Sequence, residues 1–154
     1  MTPLVLRSQL SIPEPPDAVW EVLADVPTWP EWCPPVRRVT RFTSLEVGRR
    51  VAYVLSMGPG VPVSFDVELQ VVDAPRRLQW TSTKWWGVRG TRAFRLEATD
   101  DGTLVVDEKT FESRIWPVAS LYPRGAVSSM SDGWLEGLRR AVLDRSEGPS
   151  VVEP

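Results

Sequence analysis

The sequence predicts an α+β fold: one curved antiparallel sheet wrapped round a long C-terminal helix. Three observations point there. Residues 11–36 read as strand, helix, tight break and second short helix. Between residues 51 and 112, apolar and polar residues alternate in several runs separated by Gly, Pro and Asp. Met130, Trp134, Leu138, Ala141 and Val142 then recur at helical spacing.

Pro13, Pro15 and Pro16 end the first extended segment, because proline removes a backbone donor and biases its predecessor away from helix. A helix follows, since proline is welcome in a first turn; Asp17 and Glu21 lie near its positive end, and Val19, Trp20 and Leu23 share a face. Pro27 and Pro30 break and restart the chain, bringing Trp29 and Trp32 close to Cys33 before Pro34 and Pro35 stop it again. Strands are expected over 36–43 and 51–57, joined by a turn carrying Gly48. The run 63–71 is the clearest strand: Val63, Phe65, Val67, Leu69 and Val71 alternate with Ser64, Asp66, Glu68 and Gln70, so Asp66 and Glu68 belong to the solvated face. Leu78 and Trp80 share a face of the next strand, 78–83. Arg92, Phe94, Leu96 and Ala98 line up at period two over 90–98. Asp100, Asp101 and Gly102 form a hairpin turn into a last strand, 103–112. A helix is expected within 117–146, less firmly over 118–131, where Pro123 and Gly125 interrupt it.

A chain of 154 residues suits a single domain, taken as residues 1–146 with a flexible tail over 147–154. There is no internal repeat, and no apolar run approaches the ~20 residues of a membrane span. The N-terminal residues lack the pattern of a secretory signal, and a cytoplasmic location is expected. The single cysteine, Cys33, reads as a small buried hydrophobe. With a formal net charge of −2 and scattered arginines there is no basic stripe to track a nucleic-acid backbone. The chain has eight tryptophans and no histidine. Lack of histidine removes Ser-His-Asp and Cys-His nucleophilic machinery and the common zinc sites. Neither a dinucleotide-binding glycine motif nor a phosphate-binding loop is present. Any chemistry must use carboxylates, Lys, Arg, Tyr or water, and no metal or cofactor is expected.

The run PxxAVWEVLADVPTWPEW, ending at Trp32, resembles the opening signature of the START-like superfamily, in particular its polyketide cyclase/dehydrase and lipid-transport branch. Pro75, Arg76, Arg77, Leu78 and Trp80 resemble that family's P-x-x-L-x-W strand, and Asp101, Gly102 and Thr103 its turn before the last strand. The resemblance implies the helix-grip fold shared with the birch-pollen allergen: about seven strands around the long C-terminal helix, two short helices after the first strand, and a deep apolar pocket on the concave side. It does not select an activity, since cyclases, carriers, hormone receptors and chaperone activators share it.

Strand alternation nominates Tyr53, Phe65, Trp80 and Phe94 for the pocket wall; Met130 and Trp134 come from the last helix, and Trp85, Trp86, Trp116 and Tyr122 are candidates for its mouth. Aromatics at core spacing also serve simply as core. The polar candidates are fewer. Arg92 falls in an apolar row, and a buried guanidinium needs a partner. The last strand offers one in either register: Val105 and Phe111 inward bring Asp107 and Lys109, whereas Leu104 and Val106 inward bring Glu108. The resemblance favours the first. A plain cross-strand salt bridge satisfies the same pattern. In the functional alternative, Arg92 orients a ligand carbonyl or enolate while the carboxylate or Tyr53 relays a proton, as aldol cyclisation followed by dehydration requires. Arg92→Ala is then expected to abolish turnover with little loss of fold.

Two classes of function stay open: an enzyme that closes or dehydrates a ring on a polyketide-like ligand, and a carrier or sensor of a lipid or other hydrophobic molecule. The expected partner is a hydrophobic small molecule, with no nucleic acid, and the protein is expected to be a monomer or homodimer. Rich Arg, Ala and Val with few Lys suits a GC-rich bacterium with secondary metabolism.

Overall fold

Proline chemistry sets how the chain leaves and re-enters the sheet. Strand β1 (Leu4–Ile12) stops before Pro13, and α1 (Pro16–Ala24) begins on a proline whose missing N–H costs the first turn nothing. Val19, Val22 and Leu23 form its buried face; Trp20 is only half-buried, and Val22 takes the deep position that the spacing assigns to Trp20. A 3-10 turn (Val26–Thr28) and α2 (Trp29–Trp32) complete the expected pair of short helices, each restarted by a proline in its first turn. The computed structural model describes residues 3–56, 61–83, 87–115, 117 and 124–147.

The remaining elements are β2 (Val36–Arg41), β3 (Arg50–Ser56), β4 (Pro62–Asp73), β5 (Arg77–Thr83), β6 (Arg89–Thr99), β7 (Gly102–Glu112) and α3 (Arg124–Ser146). The seven strands form one antiparallel sheet in the order β1-β7-β6-β5-β4-β3-β2. Only neighbours in sequence pair, except that β1 closes on β7. The short helices therefore bridge the two edge strands, β1 and β2, and α3 lies across the concave face, touching β1, β7, α1 and α2. This is the expected helix-grip architecture. Among the described residues no helix is long and apolar enough to cross a membrane.

The strand periodicity holds wherever the ladder is regular. Val51, Tyr53 and Leu55 on β3, Leu78 and Trp80 on β5, and Phe94 and Leu96 on β6 all turn into the core. Ala98 does not; it is exposed near the end of β6. On β4 the alternation breaks at a bulge: Leu69 pairs with Trp80 but Val71 pairs with Gln79, so Gln70 is an extra residue. Beyond it the faces exchange, and Val72, opposite Leu78, packs on the core in the place expected for Val71.

Against this sheet α3 buries Trp134, Leu138 and Val142, with Met130 and Ala141 partly buried, as their spacing predicts. The helix starts at Arg124; residues 118–123 and 148–154, including most of the expected tail, lie outside the described residues. Its approach to α2 depends on a glycine that the periodicity does not single out. A Cβ at Gly137 would collide with the Trp32 carbonyl oxygen, and one at Gly133 would press on Pro35. Gly102 has the same kind of role at the hairpin turn, with φ +149° and the Ile12 carbonyl where a Cβ would stand.

In an open helix Gly→Ala stabilises by about 1 kcal/mol. At Gly137 the sign should reverse: Gly137→Ala is expected to lose roughly 1–3 kcal/mol by forcing α2 and α3 apart. The urea midpoint of the variant measures it, and a midpoint equal to or above that of the parent would contradict this packing.

Candidate functional site

The aromatic residues that alternation sends inward meet the tryptophans of α2 and α3 in the middle of the concave face. Trp29 is fully buried and donates its indole N–H to the Leu23 carbonyl at 2.9 Å. Its ring lies 5.0 Å from Trp134, 5.4 Å from Trp80 and 5.8 Å from Tyr53. Phe94 joins through Trp80 and Trp134. This cluster packs into the concave face where a deep pocket was expected. Beside it lies a half-open apolar cavity of about 80 Å³. Pockets that engulf a drug-sized molecule hold ~300–1,000 Å³. The cavity is several-fold smaller than that.

Its wall comes from five strands and one helix: Tyr53 and Leu55 of β3, Phe65 and Val67 of β4, Trp80 and Ser82 of β5, residues 90–92 of β6, Lys109 and Phe111 of β7, and Val127 and Met130 of α3. Of the residues nominated from sequence, Tyr53, Phe65, Trp80, Arg92, Lys109 and Met130 line it. Phe94, Trp134 and Asp107 stand behind the wall. Trp85, Trp86, Trp116 and Tyr122 lie outside the described residues. Leu55, Val67, Ser82 and Phe111 were not nominated, although each is two positions along from a nominated residue in the same alternating row. Val127 was hidden by the uncertain start of the last helix.

The register of β7 resolves the choice left open by the sequence. Arg92 pairs with Lys109 and Phe94 with Asp107, so Val105, Asp107 and Lys109 turn inward. Glu108 turns outward and takes a forked contact from Arg7 of β1. Inside, Arg92 and Asp107 form a two-point ion pair, Nε to Oδ1 at 3.0 Å and Nη2 to Oδ2 at 2.6 Å, with side chains 7% and 0% exposed. The guanidinium also lies 4.3 Å from the Trp134 ring centre and 4.7 Å from that of Phe94. Asp107 has both oxygens committed and does not reach the cavity. Asp107 thus holds Arg92 through both oxygens from the neighbouring strand.

Lys109 sits beside this pair with no carboxylate among the described residues in ion-pair contact. Its Nζ donates one long bond, 3.5 Å, to the Val127 carbonyl. Burial, followed by repulsion from Arg92, holds its pKa down at about 7. Burial also pushes the Tyr53 phenol up to about 12, although Arg92 and a hydrogen bond from the Trp80 indole oppose the shift. Tyr53 is thus a protonated donor at neutral pH. Cys33 is likewise pushed up to about 12 by burial and stays a thiol, in keeping with its expected core role.

Seven antiparallel strands gripping one long helix, with a cavity between them, define the START-like, birch-pollen-allergen-like class. Within it, the chain belongs to the polyketide cyclase/dehydrase and lipid transport family, whose model matches residues 4–149. Among solved structures it is similar to the Zhui aromatase/cyclase from Streptomyces sp. R1128, at 20% identity and a TM-score of 0.79, covering 98% of this chain and 100% of that one. It also resembles TTHA0849 from Thermus thermophilus, at 21% identity and a TM-score of 0.77 over 93% of this chain and 99% of that one. The di-domain ARO/CYC BexL of the BE-7585A biosynthetic pathway matches at 16% identity and a TM-score of 0.74, over 90% of this chain and 49% of that one. At these identities the likeness shows the fold. No curated protein sequence matches the chain.

The burial of the ion pair changes what Arg92→Ala should do. With Asp107 left charged and dry, the variant is expected to lose about 3–5 kcal/mol, not to fold unharmed. Arg92→Met with Asp107→Leu should recover most of that loss. Urea unfolding of the two variants decides; an undiminished single variant would contradict the dry pair. Lys109 supplies a pH signature. Its folded pKa lies below the ordinary 10.5, so folding expels a proton between pH about 7 and 10.5. The penalty is complete below about pH 7 and vanishes above 10.5. Lys109→Met is therefore expected to be more stable than the parent near pH ~6, with the gap closing towards pH ~10. A constant gap across that range would argue against a desolvated amine.

Proposed function

We propose that the protein binds a polyketide-like ligand by a β-dicarbonyl segment in the concave cavity and promotes its cyclisation or dehydration by cofactor-free acid/base chemistry. The observation that carries the reading is the convergence of Tyr53, Arg92 and Lys109 in an otherwise apolar wall. Ring closure by an aldol step needs a carbon deprotonated between two carbonyls, an electrophilic carbonyl, and a proton for the oxygen that forms. Arg92, fixed by Asp107 and the faces of Trp134 and Phe94, offers positive charge to the developing enolate or alkoxide without having to reorganise. Tyr53 gives the proton. Of the groups lining the cavity, Lys109 is the one whose lone pair is free near neutral pH, and it takes the carbon proton. Membership of a cyclase/dehydrase family and a likeness to aromatase/cyclases support the same reading. A cytoplasmic setting in bacterial secondary metabolism, as a monomer or homodimer with no nucleic-acid partner, goes with it.

A carrier or sensor is the second reading. The small apolar cavity and the lipid-transport half of the family description favour it. Tryptophan fluorescence reads binding through Trp80, which forms part of the wall, and mass spectrometry reads the fate of the ligand. With linear poly-β-keto ligands, the enzyme returns a product lighter by one water, and Tyr53→Phe slows that about 10²–10⁴-fold with little change in affinity. Tight binding with every ligand returned unchanged would replace the enzyme by the carrier.

A further inference from the structure

Lys109 is one of only two lysines, with Lys84, among 18 Lys and Arg residues; the rest are arginines. Where a positive charge suffices, this chain uses arginine, even inside the sheet at Arg92. A guanidinium keeps its proton in a protein, whereas a primary amine can shed it and become a nucleophile. The position is also unlike that of a structural cation. Asp107, on the same strand and face, is held at both oxygens by Arg92, and among the described residues the Lys109 Nζ makes one hydrogen bond, the long contact to the Val127 carbonyl. The side chain lines the cavity between Phe111 and Arg92, with Val127 and Met130 across from it.

We propose that Lys109 acts covalently, condensing through its ε-amine with a ketone carbonyl of a β-dicarbonyl ligand held in the cavity. The proposal rests on the cyclase reading for the class of ligand and replaces one step of it: Lys109 bonds to the ligand instead of taking the carbon proton, and Tyr53 takes that proton. The nitrogen lone pair attacks the carbonyl carbon, a C–N bond forms, and the C=O π pair moves onto oxygen, which takes a proton from Tyr53. The nitrogen then gives up a proton, restoring the phenol. Tyr53 then protonates the hydroxyl, which leaves as water to give a protonated imine, and the phenoxide so formed takes a proton from the flanking CH2, converting the imine to an enamine and restoring the phenol. That enamine carbon is the nucleophile for ring closure on a second carbonyl, and one water releases the amine. No oxidant or reductant enters. The route also explains how a wall with no carboxylate or histidine among its described residues generates a carbon nucleophile: an iminium acidifies the neighbouring CH2 far more than a ketone does. Burial favours the uncharged amine from which the sequence of steps starts.

The test uses the whole folded protein and 2,4-pentanedione, a β-diketone that reacts with a free amine to give a stable enaminone plus one water. Intact-mass measurement shows adducts of the diketone less one water, and peptide mapping locates them. Lys109 is expected to react at least about tenfold faster than Lys84 or the α-amino group, because its lone pair is free at neutral pH. The fast adduct should be absent in both Lys109→Met and Lys109→Arg. Equal or slower labelling at Lys109 overturns the proposal, and since the parent protein alone gives that result, a variant that failed to fold would not obscure it. Fluorescence titration with poly-β-keto ligands, with mass analysis of what is returned, separates the two readings. Turnover without any fast Lys109 adduct would end the covalent step and leave the cyclase. A fast Lys109 adduct with every such ligand returned unchanged would end the cyclase and keep the reactive amine.

Discussion

A charged pair held between aromatic faces is the constraint on which the concave side depends. Arg92 and Asp107 belong to neighbouring strands and meet through two short hydrogen bonds in a region with almost no solvent. Neither is tolerable there alone, because desolvating a single ion costs several kcal/mol. Pairing them fixes the register of β6 against β7. That register in turn decides that Val105 and Lys109 face inward and Glu108 faces the edge strand β1, where Arg7 meets it. The flat guanidinium also makes a surface on which Trp134 and Phe94 pack, so the pair ties the long helix to the middle of the sheet.

The tryptophans have a matching explanation. The sheet curves round α3, and the gap between them must be filled or left as cavity. Trp29, Trp80 and Trp134 pack into it from three elements, and beside them, among the described residues, lies the cavity whose wall includes Tyr53, Phe65, Lys109 and Met130. The same curvature that makes a pocket possible therefore yields a small one here. Its wall places a protonated phenol, a fixed guanidinium and an amine with a lowered pKa in contact with whatever enters.

The architecture was legible because it rests on local rules. Prolines at 13, 15, 16, 27 and 30 mark the ends and starts of elements, and alternation with period two identified β3, β5 and β6 with their inward faces, while β7 was legible as a strand but not in its register. The pattern misled where local periodicity is interrupted by something only a partner strand reveals: the bulge at Gln70 exchanged Val71 for Val72. Gly137 was passed over for a related reason. Its importance lies in the closeness of the Trp32 carbonyl, which no spacing along one helix records.

By itself the sequence determined the fold class, the inward row holding Arg92, the need for a partner to that charge, and the absence of histidine chemistry. It also named Tyr53, Phe65, Trp80, Lys109 and Met130, all of which line the cavity. Only the tertiary structure decided which carboxylate pairs with Arg92, that Asp107 is sealed behind the wall, that Trp134 and Phe94 serve the ion pair and not the cavity, and how little volume remains. The physical reason is that periodicity assigns a side chain to a face, whereas depth on that face, and the burial that sets a pKa, arise from what other strands and helices bring opposite it.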